Sequence, residues 1–517
     1  MGSTPLIRRP GCRWGQVSAP SLDRVRARWA ARLGSGWLAV LLLAVALVPF
    51  VQELSAQPAV RVAQTAAMVE EGTVVLDDYD HVIGIDRVER DGHVYGDKAP
   101  LQPILAVPAY LAAKAVGAES ASVLRVQGNL GLWWVALWST LVPLLAICAI
   151  GVRVVRRVVG PERAVAGTLA ICGGTLLLAY GTQLYAHVLA GLLGWSCFLV
   201  ADRSLRADAE GGRPLALALG AGALGGAAVA TEYPLAIVVV VVAALLVAHR
   251  AWGRLAAYVA GGAPFVALLL GYQWLAYGSP FTVSYSEKSV HEAEPLVVGL
   301  PHPVRFLEVL LGTRGLLLFS PIVALAAWGL WRLAHRSGGV ARRHGIVGLV
   351  VFGLFLVLQS AWVNPWGGEA PGPRYVIPSL PFLIVGMAEI WDVAPAARRI
   401  ALRWSVLAMA MPVIAVHLTP EGTFAVAAQL QSLAADGPVL TLWTMLLGPI
   451  GWAVHVATVG LVAWLLVEAL RLERLERGEV GSVVGEASTG GAPAGAAPAG
   501  AAFALDRPNG RNVLPTA

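Results

Sequence analysis

Charge is what this sequence has least of. Asp, Glu, Lys and Arg make up 14% of its 517 residues, against 57% hydrophobic residues, and the mean hydropathy is +0.67. That balance excludes the soluble globular class. Cysteine is equally sparse. Cys12, Cys148, Cys172 and Cys197 are scattered, with no pair at metal-ligand spacing, which argues against a disulfide or metal framework and for small buried hydrophobes. Neither a P-loop nor a dinucleotide fingerprint occurs, so nothing implies phosphoryl transfer from a nucleotide. No internal repeat is visible.

What the chain has in abundance is apolar sequence in runs of about 17–25 residues, the length that spans a bilayer. Twelve such runs are expected, at about 35–52, 131–151, 164–180, 184–201, 214–231, 233–249, 255–276, 311–332, 344–362, 375–392, 400–418 and 440–468. The last is interrupted at Gly448 and Gly451 and reads as a tilted or broken helix. Arginines cluster before the first run, at 153–163, 203–213, 250–254, 332–343, 398–399 and 471–477. With twelve spans every cluster falls on the side of the N-terminus, which the positive-inside bias makes cytoplasmic. The basic pI of about 9.3 then follows from that bias and from lipid headgroups, and gives no reason to invoke nucleic acid. The expected organisation is a basic cytoplasmic segment (1–34), an all-α polytopic domain (35–470) with a long first external loop (51–130), and a cytoplasmic low-complexity tail (471–517), Gly/Ala/Pro-rich and disordered from about Gly478.

The polar residues left outside are the informative ones. The first external loop contains "LDDYDHVIGIDRVERDGHVYGDKAPLQPILAVPAYLAAKAVG", and later loops add "YGTQLYAH", "TEYP" and "WVNPWGGEAPGPRY". Glu232 sits between two very apolar spans and His187 lies inside the start of another. A charge at mid-bilayer costs about 3 kcal/mol or more, so such residues face a wet cavity or a partner. Thr231-Glu232-Tyr233-Pro234 is also a good helix start, so a capping role stays open. His187 reads either as a satisfied structural histidine or as a ligand-facing one. Residues 101–117, interrupted by Pro103 and Pro108, read as an interfacial or re-entrant helix. Asp97 and Lys98 then stand at its mouth, where Lys98 meets a lipid phosphate or snorkels to anchor the helix end.

Tyr95 with Lys98-Ala99-Pro100-Leu101 resembles the aromatic-x-x-Lys-Pro-Pro-Leu stretch of the GT-C class of membrane glycosyltransferases. The nearest relatives are the family-39-like enzymes: protein O-mannosyltransferases, aminoarabinose transferases acting on lipid A, and bacterial relatives. "VAQTAAMVEEG" (62–72), "YGSPF" (277–281), "RGLLLFSP" (314–321) and "WGGEAPGPRYVIPSLPF" (366–382) are similar to further segments of that family, and the topological similarity covers about 35–470. The resemblance implies a GT-C-like bundle of about twelve helices in a bacterial plasma membrane with both termini cytoplasmic. It also implies a polyprenyl-phosphate-linked sugar as co-substrate and a glycan, glycolipid or protein as acceptor. The chain departs from the family at its catalytic carboxylate, about eleven residues before Met68, where Gln57 stands.

Transfer from such a donor needs a base for the acceptor hydroxyl, cations for the leaving phosphate and a groove that aligns donor with acceptor. The expected bases are Asp78 and Asp80 of the acidic "DDYDH" run, or Glu53 at the end of the first span, with Asp77 and Asp86 as further carboxylates. Lys98 and Arg374 are expected on the phosphate, Arg374 gripping two oxygens beside Gly367, Gly368 and Gly372. Tyr95, Asp97, Glu369, Trp366, Glu232 and His187 complete the expected substrate-binding set. Glu369 either positions Arg374 or binds the sugar, and Trp362 and Trp366 either stack on a sugar ring or belong to an interfacial belt. No divalent metal or other cofactor is expected. Two alternatives remain at this level: a secondary transporter or lipid-linked sugar flippase, and a non-catalytic membrane partner.

Overall fold

Apolar runs with few breakers become helices here, and the breaks between them fall at glycine and proline. The computed structural model describes residues 22–117, 129–209, 211–282, 284, 299–336, 338–416, 418–420 and 422–489. The arginines before residue 22 and the tail beyond residue 489 lie outside the described residues. In chain order the first elements are α1 (Leu22–Leu47), α2 (Ala56–Glu70), α3 (Asp80–Ile83), β1 (Arg87–Arg90), β2 (His93–Gly96) and α4 (Leu101–Ala115). The bundle follows: α5 (Leu130–Val158), α6 (Ala164–Gly174), α7 (Leu176–Tyr180), α8 (His187–Arg206), α9 (Pro214–Thr231), α10 (Ala236–Ala248) and α11 (Trp252–Tyr277). Then come α12 (Pro303–Leu311), α13 (Leu316–Phe319), α14 (Ile322–Ala334), α15 (Gly339–Ala361), a 3-10 helix (Arg374–Leu383), α16 (Ile384–Glu389), α17 (Pro395–Ile414), α18 (Ala425–Asp436), α19 (Leu442–Leu447) and α20 (Ile450–Thr489).

The protein is a helical, multi-pass membrane protein. Among the described residues six helices are long and apolar enough to cross a membrane: α5, α8, α9, α11, α15 and the Ile450–Glu476 part of α20. A seventh span is reached if Pro303–Phe319 and Ile322–Ala334, bent by 92° at Ser320-Pro321, count as one. The twelve apolar runs therefore do not all become continuous spans, and the reasons are local. Gly173-Gly174-Thr175 splits the run 164–180 into α6 and α7, with Thr175 extended (φ −134°, ψ 174°). Pro378 and Pro381 lie in the 3-10 segment of the run 375–392, where each lacks the N–H that a regular α-helix uses. At about 2.0 Å per residue of 3-10 helix and 1.5 Å of α-helix, Arg374–Glu389 still reaches about 30 Å, and that whole stretch is buried. The run 440–468 breaks where the glycines stand: Gly448 (φ 62°) separates α19 from α20. The tail departs from expectation, since α20 runs through 478 to Thr489.

The segment between α1 and α5 builds a small polar subassembly. Asp91 (φ 53°) and Gly92 (φ 79°) make the left-handed two-residue turn of a hairpin, pairing Arg87 with Gly96 and Val88 with Tyr95. Val60, Ala63, Ala66 and Ala67 of α2 pack with Leu76, with Ile83 of α3, with Tyr110 of α4 and with Leu132 and Val135 of α5. Burying that face anchors α2 and sets the direction of its other, polar face.

Candidate active site

Along α2, Gln57, Arg61 and Gln64 recur at intervals of four and three residues, the spacing that puts them on one helical face. All three are buried, Arg61 at 2% exposure. Gln64 donates to the Tyr272 hydroxyl (2.8 Å) and to the Lys98 carbonyl (3.3 Å). The Tyr277 hydroxyl donates to the Gly96 carbonyl (2.7 Å) and Ser284 Oγ to the Asp97 carbonyl (2.7 Å). A side chain on Gly96 would collide with Gln64 and Val60 below 3.0 Å, so glycine is required for the hairpin to lie this close to α2. These contacts fix the three residues that lead out of β2, and the third of them is Lys98.

Lys98 is buried at 4% exposure. Its Nζ lies 2.9 Å from Asp97 Oδ2 and 3.1 Å from Asp86 Oδ1. It is therefore neither an anchor snorkelling to the surface nor a charge at an open mouth, as the sequence suggested. Burial pulls its pKa down, but the two aspartates raise it by more, leaving it above the ordinary lysine value. With the Gln57 carboxamide turned oxygen-inward, that oxygen accepts from Lys98 Nζ (3.0 Å) and from Arg374 Nη2 (3.1 Å). Two cations from distant parts of the chain thus meet on one neutral oxygen in the first turn of α2, where the helix end also favours negative charge.

Arg374 reaches this point because Gly367 is a glycine with φ 80°: a Cβ there would stand 2.8 Å from Arg374 Nε and 2.7 Å from the Tyr375 ring. The loop that carries it is held by Arg314, which the sequence reading did not single out. The buried guanidinium donates to the carbonyls of Gly368 (3.0 Å), Ala370 (3.2 Å) and Pro420 (2.6 Å). Aromatic rings surround Arg374. Its guanidinium carbon is 5.3 Å from the Tyr375 ring and 5.6 Å from the Tyr185 ring, and Trp362 stacks on Tyr375 at 4.1 Å. Trp362 is buried and so belongs to this aromatic wall rather than to an interfacial belt.

Glu232 completes the cluster. The chain is extended there (φ −150°, ψ 118°) between α9 and the turn at Tyr233–Leu235, and its side chain caps neither helix. Its Oε1 instead lies 2.8 Å from Arg61 Nη2 and 3.7 Å from His187 Nδ1. The capping role is thus not the one its carboxylate plays. Burial raises the pKa of Glu232 against the opposing pull of Arg61, Lys98 and Arg374. Among the described residues, Arg61 Nε and Nη1, Arg374 Nε and His187 Nε2 are buried with no hydrogen-bond partner. Four unmet nitrogens at one place form a cradle suited to an acceptor-rich anion, since buried polar atoms rarely go unpaired.

The other expected site residues lie elsewhere. Asp78 is exposed, and Asp80 is half-exposed and paired with Arg87 on the hairpin. Glu53 is half-buried four residues before Gln57. Tyr95 packs against Val88, Tyr272 and Tyr277, supporting the hairpin from behind. Glu369 is exposed, its carbonyl accepting from Thr419 N at 2.9 Å. Trp366 is half-buried against Gly312. Lys98, Asp97, Arg374, Glu232 and His187 are brought together, joined by Asp86, Gln57 and Arg61.

No protein-family model and no curated protein matches the chain. Its fold is similar to solved structures of ArnT from Cupriavidus metallidurans. The form bound to undecaprenyl phosphate gives 14% identity and a TM-score of 0.47, over 90% of this chain and 80% of that one. The apo form gives 15% identity and a TM-score of 0.48, over 87% and 77%. An oligosaccharyltransferase of Archaeoglobus fulgidus in the apo form is similar at 12% identity and a TM-score of 0.42, over 83% and 56%.

Proposed function

We propose that this chain is an integral-membrane glycosyltransferase that moves a sugar from a polyprenyl-phosphate donor to an envelope glycan, glycolipid or protein acceptor on the extracytoplasmic face. One observation carries the reading: Lys98 and Arg374 converge on a single carboxamide oxygen of Gln57 while Arg374 Nε beside it has no partner. The Gln57 oxygen stands where a phosphoryl oxygen would sit. When the donor binds, its phosphate displaces that contact, and the ammonium and guanidinium face the charge that grows as the glycosidic oxygen departs. Asp86 and Asp97 hold Lys98 in place for that task. The aromatic wall of Trp362, Tyr375 and Tyr185 excludes water, which strengthens each of these interactions.

The test is transfer by the purified full chain in proteoliposomes supplied with a polyprenyl-phosphate sugar. Wild type yields a glycosylated acceptor, and Lys98→Ala and Arg374→Ala each abolish transfer while the chain remains folded and inserted. Normal transfer by both variants refutes the assignment. Movement of the lipid-linked sugar across the bilayer without any glycan product identifies a flippase instead.

A further inference from the structure

We infer that Glu232 is the proton acceptor of the transfer, steered by Arg61 and backed by His187; this rests on the glycosyltransferase reading above. A displacement at the sugar's anomeric carbon forms the bond from the acceptor oxygen and breaks the bond to phosphate, whose oxygen keeps the electron pair. The acceptor's proton needs a base within hydrogen-bond reach. Gln57 is an amide and cannot take it. Asp86 and Asp97 both hold Lys98, at 3.1 and 2.9 Å, and protonating either would loosen the cation assigned to the phosphate. Asp78 is exposed, and Asp80 is half-exposed and paired with Arg87. The buried carboxylates Asp202 and Glu389 pair with Arg343 and Arg336. Asp202 stands fifteen residues along α8 from His187, about 22 Å at 1.5 Å per residue.

Glu232 is the remaining buried carboxylate of the cluster. A purely architectural ion pair accounts for it poorly, because such a pair survives burial only when its remaining hydrogen-bonding groups are satisfied. Here Arg61 Nε and Nη1 and His187 Nε2 are not. The arrangement is that of a carboxylate held from one side by Arg61 Nη2 at 2.8 Å, with the unmet Arg61 N–H groups beside it ready for the oxygens of a sugar or acceptor and His187 Nε2 able to donate or accept. In the transfer step the acceptor O–H proton passes to the Glu232 carboxylate, and the new carboxylic acid releases it to water as product leaves.

The decisive measurement compares Glu232→Gln and Glu232→Asp with wild type in the full chain in nanodiscs. Turnover is read with a polyprenyl-phosphate sugar, and binding with sugar-free polyprenyl phosphate by tryptophan quenching. Glu232→Gln keeps the shape and a hydrogen bond to Arg61. It is expected to lose about 100-fold or more in turnover while polyprenyl phosphate binding stays within about threefold, with Glu232→Asp retaining a measurable fraction. Formate restores part of the turnover of Glu232→Ala, an effect a structural ion pair would not produce. If Glu232→Gln fails to bind polyprenyl phosphate, the Arg61→Gln/Glu232→Gln double variant, which removes both charges together, replaces it. Turnover within about fivefold of wild type in either binding-competent variant overturns the inference. A wild type that binds polyprenyl phosphate but transfers nothing overturns the parent reading instead, so the two failures are distinguishable.

Discussion

Replacing Lys98 with methionine keeps most of the side-chain volume and removes the charge that Asp86 and Asp97 share. Both carboxylates are buried, with side chains 9% and 0% exposed, at 3.1 and 2.9 Å from Nζ. Removing one partner of a buried charge pair costs roughly 3–5 kcal/mol because the other is left uncompensated. Lys98→Met strands two carboxylates, so a loss at the upper end of that range is expected. The loss must also depend on pH, and its sign is fixed. Without Lys98, burial in the folded state disfavours the charged form of each stranded carboxylate. The folded chain then binds more protons than the unfolded one, so its stability falls as pH rises. The gap between Lys98→Met and wild type should therefore widen from about pH 5 to about pH 8, by at most about 1.4 kcal/mol per proton per pH unit. Adding Asp86→Asn and Asp97→Asn should close most of it. Denaturation of the detergent-solubilised chain, followed by tryptophan fluorescence, measures both. A gap that ignores pH, or a triple variant as unstable as the single one, would refute the account of Lys98 as a buried charge held by two aspartates.

Gln57→Glu puts a carboxylate directly on Lys98 and Arg374; the chain should become more heat-resistant and bind polyprenyl phosphate at least about tenfold more weakly, as a quenching titration would show. Arg314→Lys cannot span the carbonyls of Gly368, Ala370 and Pro420. Losing two charge-assisted bonds should cost about 3–6 kcal/mol in denaturation and lower the affinity for polyprenyl phosphate through misplacement of Arg374. Because the two aspartates raise the pKa of Lys98, polyprenyl phosphate binding should stay flat from about pH 7 to 9 and weaken only as pH passes the ordinary lysine value; a midpoint below about pH 9 would contradict the pairing. Transfer, by contrast, should fall on the acid side above the usual glutamate range, since Glu232 is protonated more readily than a free glutamate, and a pH profile of turnover reads it.

Much of the fold was legible because a membrane leaves few choices. Apolar length specifies helix, and α5, α8, α9, α11 and α15 lie within a few residues of the expected runs. Hydropathy is blind to how a buried apolar run is wound, so the 3-10 rod at Arg374–Leu383 and the kink at Thr175 escaped it. Their signals were local, the Pro378/Pro381 pair and the Gly-Gly-Thr triplet. The polar hairpin was not expected, although its signal stood in the sequence as Asp91-Gly92. Lys98 and Arg374 were readable as candidate phosphate contacts, but their depth was not. A lysine placed just before an apolar helix looks like an anchor until Asp86, twelve residues upstream, is seen to fold back onto it.

Arg61 was missed for a reason that can be stated physically. The positive-inside bias treats arginine as a topology signal, so attention goes to the arginines that obey it. The sharper signal is the arginine that violates it. On the side that the bias assigns outside, Arg61, Arg314 and Arg374 each lie beside apolar sequence with no lipid-headgroup role to explain them, and all three are buried. Arg61 further sits in the Gln57, Arg61, Gln64 stripe, a polar face at helical spacing on a helix whose other face is alanine and valine. A polar stripe buried against other helices needs acceptors. The Gln64 amide nitrogen finds its partners within the fold, whereas among the described residues Arg61 pairs with Glu232 and keeps two charged nitrogens unmet. The two neighbours differ in charge: an unmet amide oxygen at Gln64 is a modest cost, whereas unmet guanidinium N–H groups at Arg61 are the costlier feature and the better sign of a site.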